Sequence, residues 1–125
     1  MKLLLIGVFG VLGIYARYSI DLLINNDRYS FPVSTLTANL IGCFLAGIIY
    51  CFIFNKTQSN FLPPLLIGFC GGLTTFSSFS LQALNMMTAE QTMKSLGYLI
   101  LSPTLGVVFV LLGFQSTLHL FFPQN

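Results

Sequence analysis

Apolar residues fill four long segments of this chain, and short polar turns separate them. By hydropathy, the segments run over residues 3–24, 32–54, 62–84 and 96–122. Each is close to the ~20 residues that an α-helix needs to cross the hydrocarbon core of a bilayer. The pattern therefore predicts an all-α membrane protein in which residues 1–125 form a single domain of four transmembrane helices.

The third segment carries residues that weaken a helix near its middle. Gly71 and Gly72 lie there, and a run of Thr, Ser and Phe follows from Thr74 to Ser80. Backbone carbonyls that a broken helix releases at membrane depth must face protein, water or an ion. A third helix broken near its middle and a continuous helix with small residues at a packing face fit this spacing equally well.

Composition also points to a membrane environment. The 125-residue chain is 55% hydrophobic and only 6% charged, whereas a soluble domain carries about 25% charged residues. The net charge of +2 comes from scattered basic residues, which disfavours nucleic-acid binding. The spans hold no catalytic dyad or metal cluster, which disfavours an enzyme. Cys43, Cys51 and Cys70 match neither a zinc nor a CxxC spacing and are expected to be buried apolar side chains.

Positive charges are balanced between the two sides of the predicted helix bundle. With four spans, Lys2 and Lys56 lie on one side of the membrane, and Arg28 and Lys94 lie on the other. The positive-inside rule then favours neither orientation. The balance predicts insertion in both orientations and an antiparallel, dual-topology dimer. The alternative is that weaker cues select one orientation.

A lone amide, Asn39, lies within the apolar second span. An amide offers both a donor and an acceptor, so its NH2 group could bind a permeating anion. A hydrogen bond between helices is the plainer interpretation, and the spacing alone favours it.

Phe76 and Phe79 are three residues apart and lie near one face of a helix. The edge of an aromatic ring is positive, so both rings could attract an anion, while packing in the core is the alternative. Hydroxyl groups surround the two rings, on Thr75, Ser77, Ser78 and Ser80. Because polar groups are costly in hydrocarbon unless something uses them, this cluster indicates a path for a polar solute.

Arg17 and Asp21 are four residues apart near the end of the first span, which predicts an ion pair and a structural role for Arg17. Capping the carbonyls of a broken helix and lining an anion vestibule are the alternatives for Arg17. Small residues at about one-turn spacing predict close helix packing, and they are Gly10, Gly13, Gly42 and Ala46.

Three motifs follow one another in these spans. They are GVLGIYARY over residues 10–18, FPVSTL over 31–36 followed by Asn39, Gly42, Phe44 and Gly47, and GGLTTFSSFS over 71–80. In this order and spacing they resemble the motifs GxxGxxxRY, FPxGTLxxNxxGxFxxG and GGxTTFSTFS of the Fluc (CrcB) family of small fluoride channels. The resemblance covers essentially the whole chain.

The resemblance implies an antiparallel dimer in a prokaryotic cell membrane, with two pores that both subunits line. Phe76 and Phe79 would offer ring edges to fluoride, and Asn39 would offer its amide. The hydroxyls of Thr75, Ser77, Ser78 and Ser80 would add a polar track. The structural positions would be Gly10, Gly13, Arg17, Gly42 and Gly47.

The resemblance further implies a structural sodium ion at the centre of the dimer, held by the backbone carbonyls of Gly71 and Thr74 from both subunits. Oxygen ligands suit a hard cation, and a broken helix can expose them. The implied function is passive, fluoride-selective export that confers fluoride resistance, without an organic cofactor or an energy source.

Two departures from the family pattern concern the polar track. Gln82 stands where the family often has a glutamate, and the fourth span places its hydroxyls, on Ser102 and Thr104, early. One polar wall is therefore expected to be incomplete. This keeps open a non-conducting partner subunit of a heterodimeric fluoride channel beside the homodimer.

Two functions of other classes compete with a fluoride channel. A small multidrug-type, proton-coupled exporter needs a carboxylate within a span, whereas Glu90 falls in a loop and Asp21 at a helix end. A membrane scaffold protein would explain the glycines and leave the Thr, Ser and Phe run unexplained.

Overall fold

The structure is a computed structural model that describes residues 1–24 and 31–123. Its helices are α1 (Lys2–Leu23), α2 (Val33–Phe54), α3 (Leu62–Leu65), α4 (Gly71–Leu73), α5 (Phe76–Thr88) and α6 (Thr92–Phe121), with a π-helical turn, Leu66–Cys70, between α3 and α4. No strand occurs within these two stretches. Arg28, which enters the charge balance above, lies outside the described residues.

Four stretches are long and apolar enough to cross a membrane: α1, α2, the third span Leu62–Thr88, and α6. The predicted all-α architecture with four membrane helices is therefore confirmed for the part of the chain that the structure describes. The third span continues to Thr88, and α6 begins at Thr92. The connection between them is shorter than the hydropathy pattern indicates, because polar residues near Glu90 lie within the helix ends.

The third span is broken between α4 and α5. Thr74 (φ −83°, ψ 155°) and Thr75 (φ −148°, ψ 122°) have extended backbones. Both are β-branched, a residue type that favours extended conformations. The Thr75 hydroxyl then accepts a hydrogen bond from the Ser78 N–H at 3.2 Å and so begins α5 as its N-cap. The break that the glycine and threonine pattern left open is confirmed.

Glycines bring the backbones of α2 and α6 into direct contact. A Cβ atom added to Gly47 would overlap the carbonyl oxygen of Val110, and one added to Gly113 would overlap the carbonyl oxygen of Phe44. Small residues at such crossings are the usual way in which membrane helices approach closely. The α2–α6 pair is therefore a tight unit.

Glycines also bring α1 into direct contact with the first half of the third span. Cβ atoms added to Gly13, Gly68 or Gly72 would meet backbone atoms of the facing helix closer than a side chain permits. Gly10 differs, because its added Cβ would lie 3.9 Å from the Gly68 carbonyl, an ordinary contact. The glycine requirement on α1 therefore centres on Gly13.

Helices α2 and α5 both end in Schellman motifs, and each motif has a charged residue at the position where glycine is usual. After α2, Lys56 has a φ of 57°, and the Thr57 N–H donates to the Phe52 carbonyl at 3.0 Å. After α5, Glu90 has a φ of 60°, and the Gln91 N–H donates to the Met86 carbonyl at 2.8 Å. A side chain in this left-handed conformation costs roughly 1–2 kcal/mol. Both turns therefore carry backbone strain.

The outer surface of the bundle is apolar. Large side chains such as Leu3, Val11, Ile67 and Val107 are exposed. Such a surface is stable against lipid or another membrane helix, since lipid tails are as apolar as leucine. The chain is a multi-pass membrane protein.

Candidate functional site

A cavity of about 580 Å³ opens beside the break in the third span. Its polar groups come from Asn39 on α2, from Thr74 and Thr75 at the break, and from Ser102 on α6. The remaining wall is mainly apolar and includes Phe76, Phe79, Leu99 and Val107. A mostly apolar pocket with a few convergent polar groups is the usual form of a small-ligand site.

Asn39 binds the broken backbone of the third span. Its side-chain carbonyl accepts from the Thr75 N–H at 2.8 Å, and its NH2 group donates to the Thr75 carbonyl at 3.3 Å. The interhelical hydrogen bond that the spacing favoured is therefore present, and both ends of the amide take part. Gly42 lies one turn along α2, where an added Cβ would overlap the methyl group of Thr74. Together these contacts hold the broken segment of the third span against α2.

The same hydrogen bonds release two carbonyl groups of the third span. In an unbroken helix, the N–H of Thr75 would pair with the carbonyl of Gly71, and the N–H of Ser78 with that of Thr74. Here the Thr75 N–H donates to Asn39, and the Ser78 N–H donates to the Thr75 hydroxyl. Gly71 is also exposed, with open space beside it. The carbonyls of Gly71 and Thr74 thus lack the N–H donors that a continuous helix would provide.

The hydroxyl groups of the third span divide into two sets. The Thr75 hydroxyl lines the cavity and lies 3.2 Å from the hydroxyls of both Ser77 and Ser78. The Ser80 hydroxyl instead donates to the carbonyl of Phe76 at 2.9 Å. Of the four hydroxyls named in the sequence, the structure brings three together at the start of α5.

Phe76 and Phe79 both line the cavity, with ring centroids 5.6 Å apart and planes inclined by 40°. Their environments differ, because Phe76 is 79% exposed and Phe79 is 7% exposed. Phe79 packs on the ring of Tyr98 from α6 at 4.9 Å. Phe79 therefore belongs to the protein core and to the cavity wall at once, whereas Phe76 projects outward.

Ser102 contributes more to the cavity than its position along the chain indicates. It comes early in the fourth span, yet it lines the same cavity as Asn39 and is 6% exposed. Within residues 1–24 and 31–123 its hydroxyl has no hydrogen-bond partner. Thr104 points elsewhere and donates to the Ile100 carbonyl at 2.7 Å. The fourth span therefore does supply a hydroxyl to this wall, and Gly106, four residues later on the same helix, also lines the cavity.

The three cysteines are free, and two of them, Cys51 and Cys70, are buried as expected. Cys43 is only half-buried and lines the cavity. Gly106 lies next to the Cys43 sulfur, because a Cβ atom added to Gly106 would lie 3.4 Å from it.

A second cavity of about 300 Å³ lies between the end of α1 and Ser78 at the start of α5. Arg17, Tyr18, Asp21 and Ser78 contribute to its wall. No ion pair joins Arg17 to Asp21 in the described part of the chain, so the ion pair predicted from their spacing is not formed. A vestibule role for Arg17 stays a prediction.

Comparison with known proteins gives the chain its relatives. Residues 4–114 match the family model described as CrcB-like protein, Camphor Resistance (CrcB). A protein of Azobacteroides pseudotrichonymphae named as a fluoride-specific ion channel is 37% identical over 119 residues, which cover 93% of this chain and 95% of that protein. A protein of Leptospira interrogans with the same name is 41% identical over 117 residues, covering 90% of this chain and 91% of its own length.

A protein of Listeria innocua, also named as a fluoride-specific ion channel, is 35% identical over 115 residues, which cover 90% of this chain and 88% of that protein. The family match over residues 4–114 includes both threonines of the break and reaches into all four membrane spans. On the extent of these matches, this chain belongs to the CrcB family.

Proposed function

We propose that this chain forms a fluoride-selective channel that lets cytoplasmic fluoride leave the cell passively. The relatives named as fluoride-specific ion channels support the proposal. The observation that carries it is the start of α5 at the break, beside a cavity that Asn39, Phe76 and Phe79 line.

The cavity has the chemistry of an anion site. The N-terminus of a helix carries a partial positive charge and favours anions, and α5 begins there with 13 residues. Phe76 and Phe79 add ring edges, which are weakly positive. The residues found in the cavity wall include neither a carboxylate nor a basic side chain. An anion is therefore attracted without meeting a full positive charge that would trap it.

Selection of fluoride follows from donors that replace part of its hydration shell. Ser102 and Thr75 both line the cavity, and the Ser102 hydroxyl has no hydrogen-bond partner in the described residues. The hydroxyls of Ser77 and Ser78 extend this hydroxyl surface at the start of α5, and Ser80 follows on the same helix. A channel performs no chemical step, so the proposal assigns no catalytic residue.

Export needs no energy source beyond the membrane potential. Hydrogen fluoride is a weak acid that crosses membranes as the neutral molecule and ionises in a less acidic cytoplasm. The anion is then trapped, and a conduit lets the potential drive it outward. The expected result in the cell is resistance to fluoride.

The proposed channel is an antiparallel dimer. Phe76 is 79% exposed, and Gly71 faces open space, although both lie at the depth of the break. A second copy of the chain in the opposite orientation would cover these positions. In the sequence, the balance of Lys2 and Lys56 against Arg28 and Lys94 supports insertion both ways. A heterodimer with a homologous chain is the alternative assembly.

A sodium ion is proposed at the centre of this dimer. The carbonyls of Gly71 and Thr74 fit a hard cation, because the hydrogen bonds made by Thr75 and Ser78 leave both oxygens without their helical donors. The ion would supply a fixed positive charge that joins the broken spans of the two subunits.

The test is fluoride efflux from liposomes that contain this purified chain alone, measured with a fluoride electrode, with chloride efflux as the control. Fast fluoride efflux without chloride efflux is the expected result and identifies a self-sufficient homodimer. Efflux only after coexpression with a homologous chain would identify the heterodimer. Absence of efflux in both preparations would refute the proposal.

A further inference from the structure

An open groove of about 460 Å³ runs along the outside of the first half of α6. A Cβ atom added to Gly97 would meet no atom within 4 Å, so the space beside this residue is open. Ile100 is 69% exposed and Leu101 is 46% exposed. The residues found in the groove wall are Phe31, Lys94, Gly97, Ile100, Leu101 and Thr104. The groove is therefore part of the membrane-facing surface of the bundle.

The groove and the cavity at the break lie on opposite sides of α6. Successive residues of an α-helix are about 100° apart around its axis, so Gly97, Leu101 and Thr104 fall within about 60° of one another. Ser102 and Gly106 line the cavity and lie across the helix from this group. The groove thus belongs to a different face of α6 from the cavity and from the proposed dimer contact beside it.

The groove is apolar along its length and basic at one end. The Thr104 hydroxyl donates to the Ile100 carbonyl at 2.7 Å, so it is satisfied within the helix. At the other end, the Lys94 Nζ donates to the side-chain carbonyl of Gln91 at 3.3 Å. An ammonium group has three donors and can serve a phosphate oxygen as well. Among the described residues, the groove wall includes no carboxylate, and Glu90 lies outside it.

The length of the groove matches the acyl chain of one membrane leaflet. Lys94 and Thr104 are ten residues apart, which is about 15 Å along the helix axis. One leaflet supplies half of the ~30 Å hydrocarbon core of a bilayer. Lysine near a helix end keeps its amine at the membrane surface while its stem lies along apolar groups. A lipid whose head group meets Lys94 therefore has its chain beside Gly97 and Thr104.

We infer that this groove binds an anionic phospholipid, with one acyl chain along Gly97, Leu101 and Thr104 and the head-group phosphate at Lys94. A second copy of the chain is not needed to cover the groove, because lipid tails are as apolar as its wall. One basic residue near the membrane surface contributes about fivefold to the retention of an anionic lipid over a zwitterionic one.

The first test uses the purified chain in micelles that contain equal amounts of phosphatidylglycerol and phosphatidylcholine, with retained lipids counted by native mass spectrometry. The unmodified chain is expected to retain phosphatidylglycerol about fivefold better than phosphatidylcholine. Gly97→Leu fills the groove without meeting protein atoms and is expected to lose the retained lipid. Gly7→Leu is the matched control, because Gly7 on α1 has equally open space beside it. Equal retention of the two lipids by the unmodified chain, or equal retention by Gly97→Leu and Gly7→Leu, would overturn the inference.

Lys94→Gln separates the head group from the acyl chain. This variant keeps the groove and removes the positive charge, so it is expected to retain lipid while its preference for phosphatidylglycerol falls about fivefold. Lys56→Gln is the control, since Lys56 is an exposed lysine at the end of α2 and is not among the residues found in the groove wall. The same loss of preference in both variants would show an effect of overall surface charge and would contradict a site at Lys94.

The competing occupant is a second copy of the chain. Gly97→Leu is expected to elute from gel filtration as the unmodified chain does, because the groove lies away from the dimer contact. A variant that lost its dimer and kept its lipid would identify the groove as a contact between copies and would refute lipid binding. Lipid retention is measured without ion flux, so its result does not depend on whether the chain conducts fluoride.

Discussion

Replacing Asn39 by leucine removes the two hydrogen bonds that hold the broken backbone, with little change in side-chain volume. The amide accepts from the Thr75 N–H at 2.8 Å and donates to the Thr75 carbonyl at 3.3 Å. A hydrogen bond between membrane helices contributes about 1 kcal/mol. Loss of both is therefore expected to lower the free energy of unfolding by about 2 kcal/mol, a roughly 30-fold shift in the unfolding equilibrium.

The assay is equilibrium unfolding in mixed micelles, followed by circular dichroism. Protein concentration must be equal across variants, because an oligomer gains stability with concentration. Asn85→Leu is the matched control, since Asn85 is exposed on α5 and its change is expected to stay within about 0.5 kcal/mol. If Asn39→Leu were as stable as Asn85→Leu, the amide would not be what holds the break.

Asn39→Asp separates the two bonds. A carboxylate still accepts from the Thr75 N–H, but its second oxygen would face the Thr75 carbonyl in place of the donor. The fixed negative charge would also repel an anion in the cavity. Fluoride efflux from liposomes is expected to fall strongly. Unchanged efflux in a variant whose carboxylate is shown to be ionised would mean that Asn39 does not contribute to the ion path.

Other substitutions test the remaining features of the chain. Phe76→Ile is expected to reduce fluoride efflux at least tenfold while helix content stays unchanged, because it removes the ring edge and keeps an apolar side chain; normal efflux would exclude that ring. Gly71→Val should leave the protomer folded, since the space beside Gly71 is open. It should weaken the dimer measured by gel filtration and reduce the effect of sodium on dimer formation. Gly72→Val, which meets the Gly10 backbone, should instead unfold the protomer, and identical behaviour of the two variants would argue against a centre at Gly71. Lys56→Gly is expected to raise the free energy of unfolding by about 1 kcal/mol, because glycine adopts the φ of 57° without strain; no gain would mean that the turn is not strained.

Much of the architecture could be read directly from the chain. Hydrophobicity over about 20 residues is a local property, so the four spans follow from it without knowledge of their neighbours. The break was visible as a candidate, because glycines and threonines weaken a helix wherever they occur. What decided between a broken and a continuous third span was Asn39, which takes the Thr75 N–H from 36 residues away.

Side-chain pairing was the least predictable part. Arg17 and Asp21 have the spacing of an ion pair, but exposed pairs gain little and their rotamers follow local packing, so the pair does not form. The hydroxyl of Ser102 looked misplaced along the chain and proves to face the cavity. The direction in which a side chain points depends on the rotation of the whole helix against its neighbours.

The membrane environment, the number of spans and the residue types at the site follow from composition within single segments. Which polar groups meet depends on how the helices pack. Asn39 and Thr75 pair because Gly42 lets α2 approach the break, and Gln82 reaches Thr35 and Tyr98 because three helices converge there. Hydrogen bonds at membrane depth act over about 3 Å, so they depend on how helices pack and not on distance along the chain.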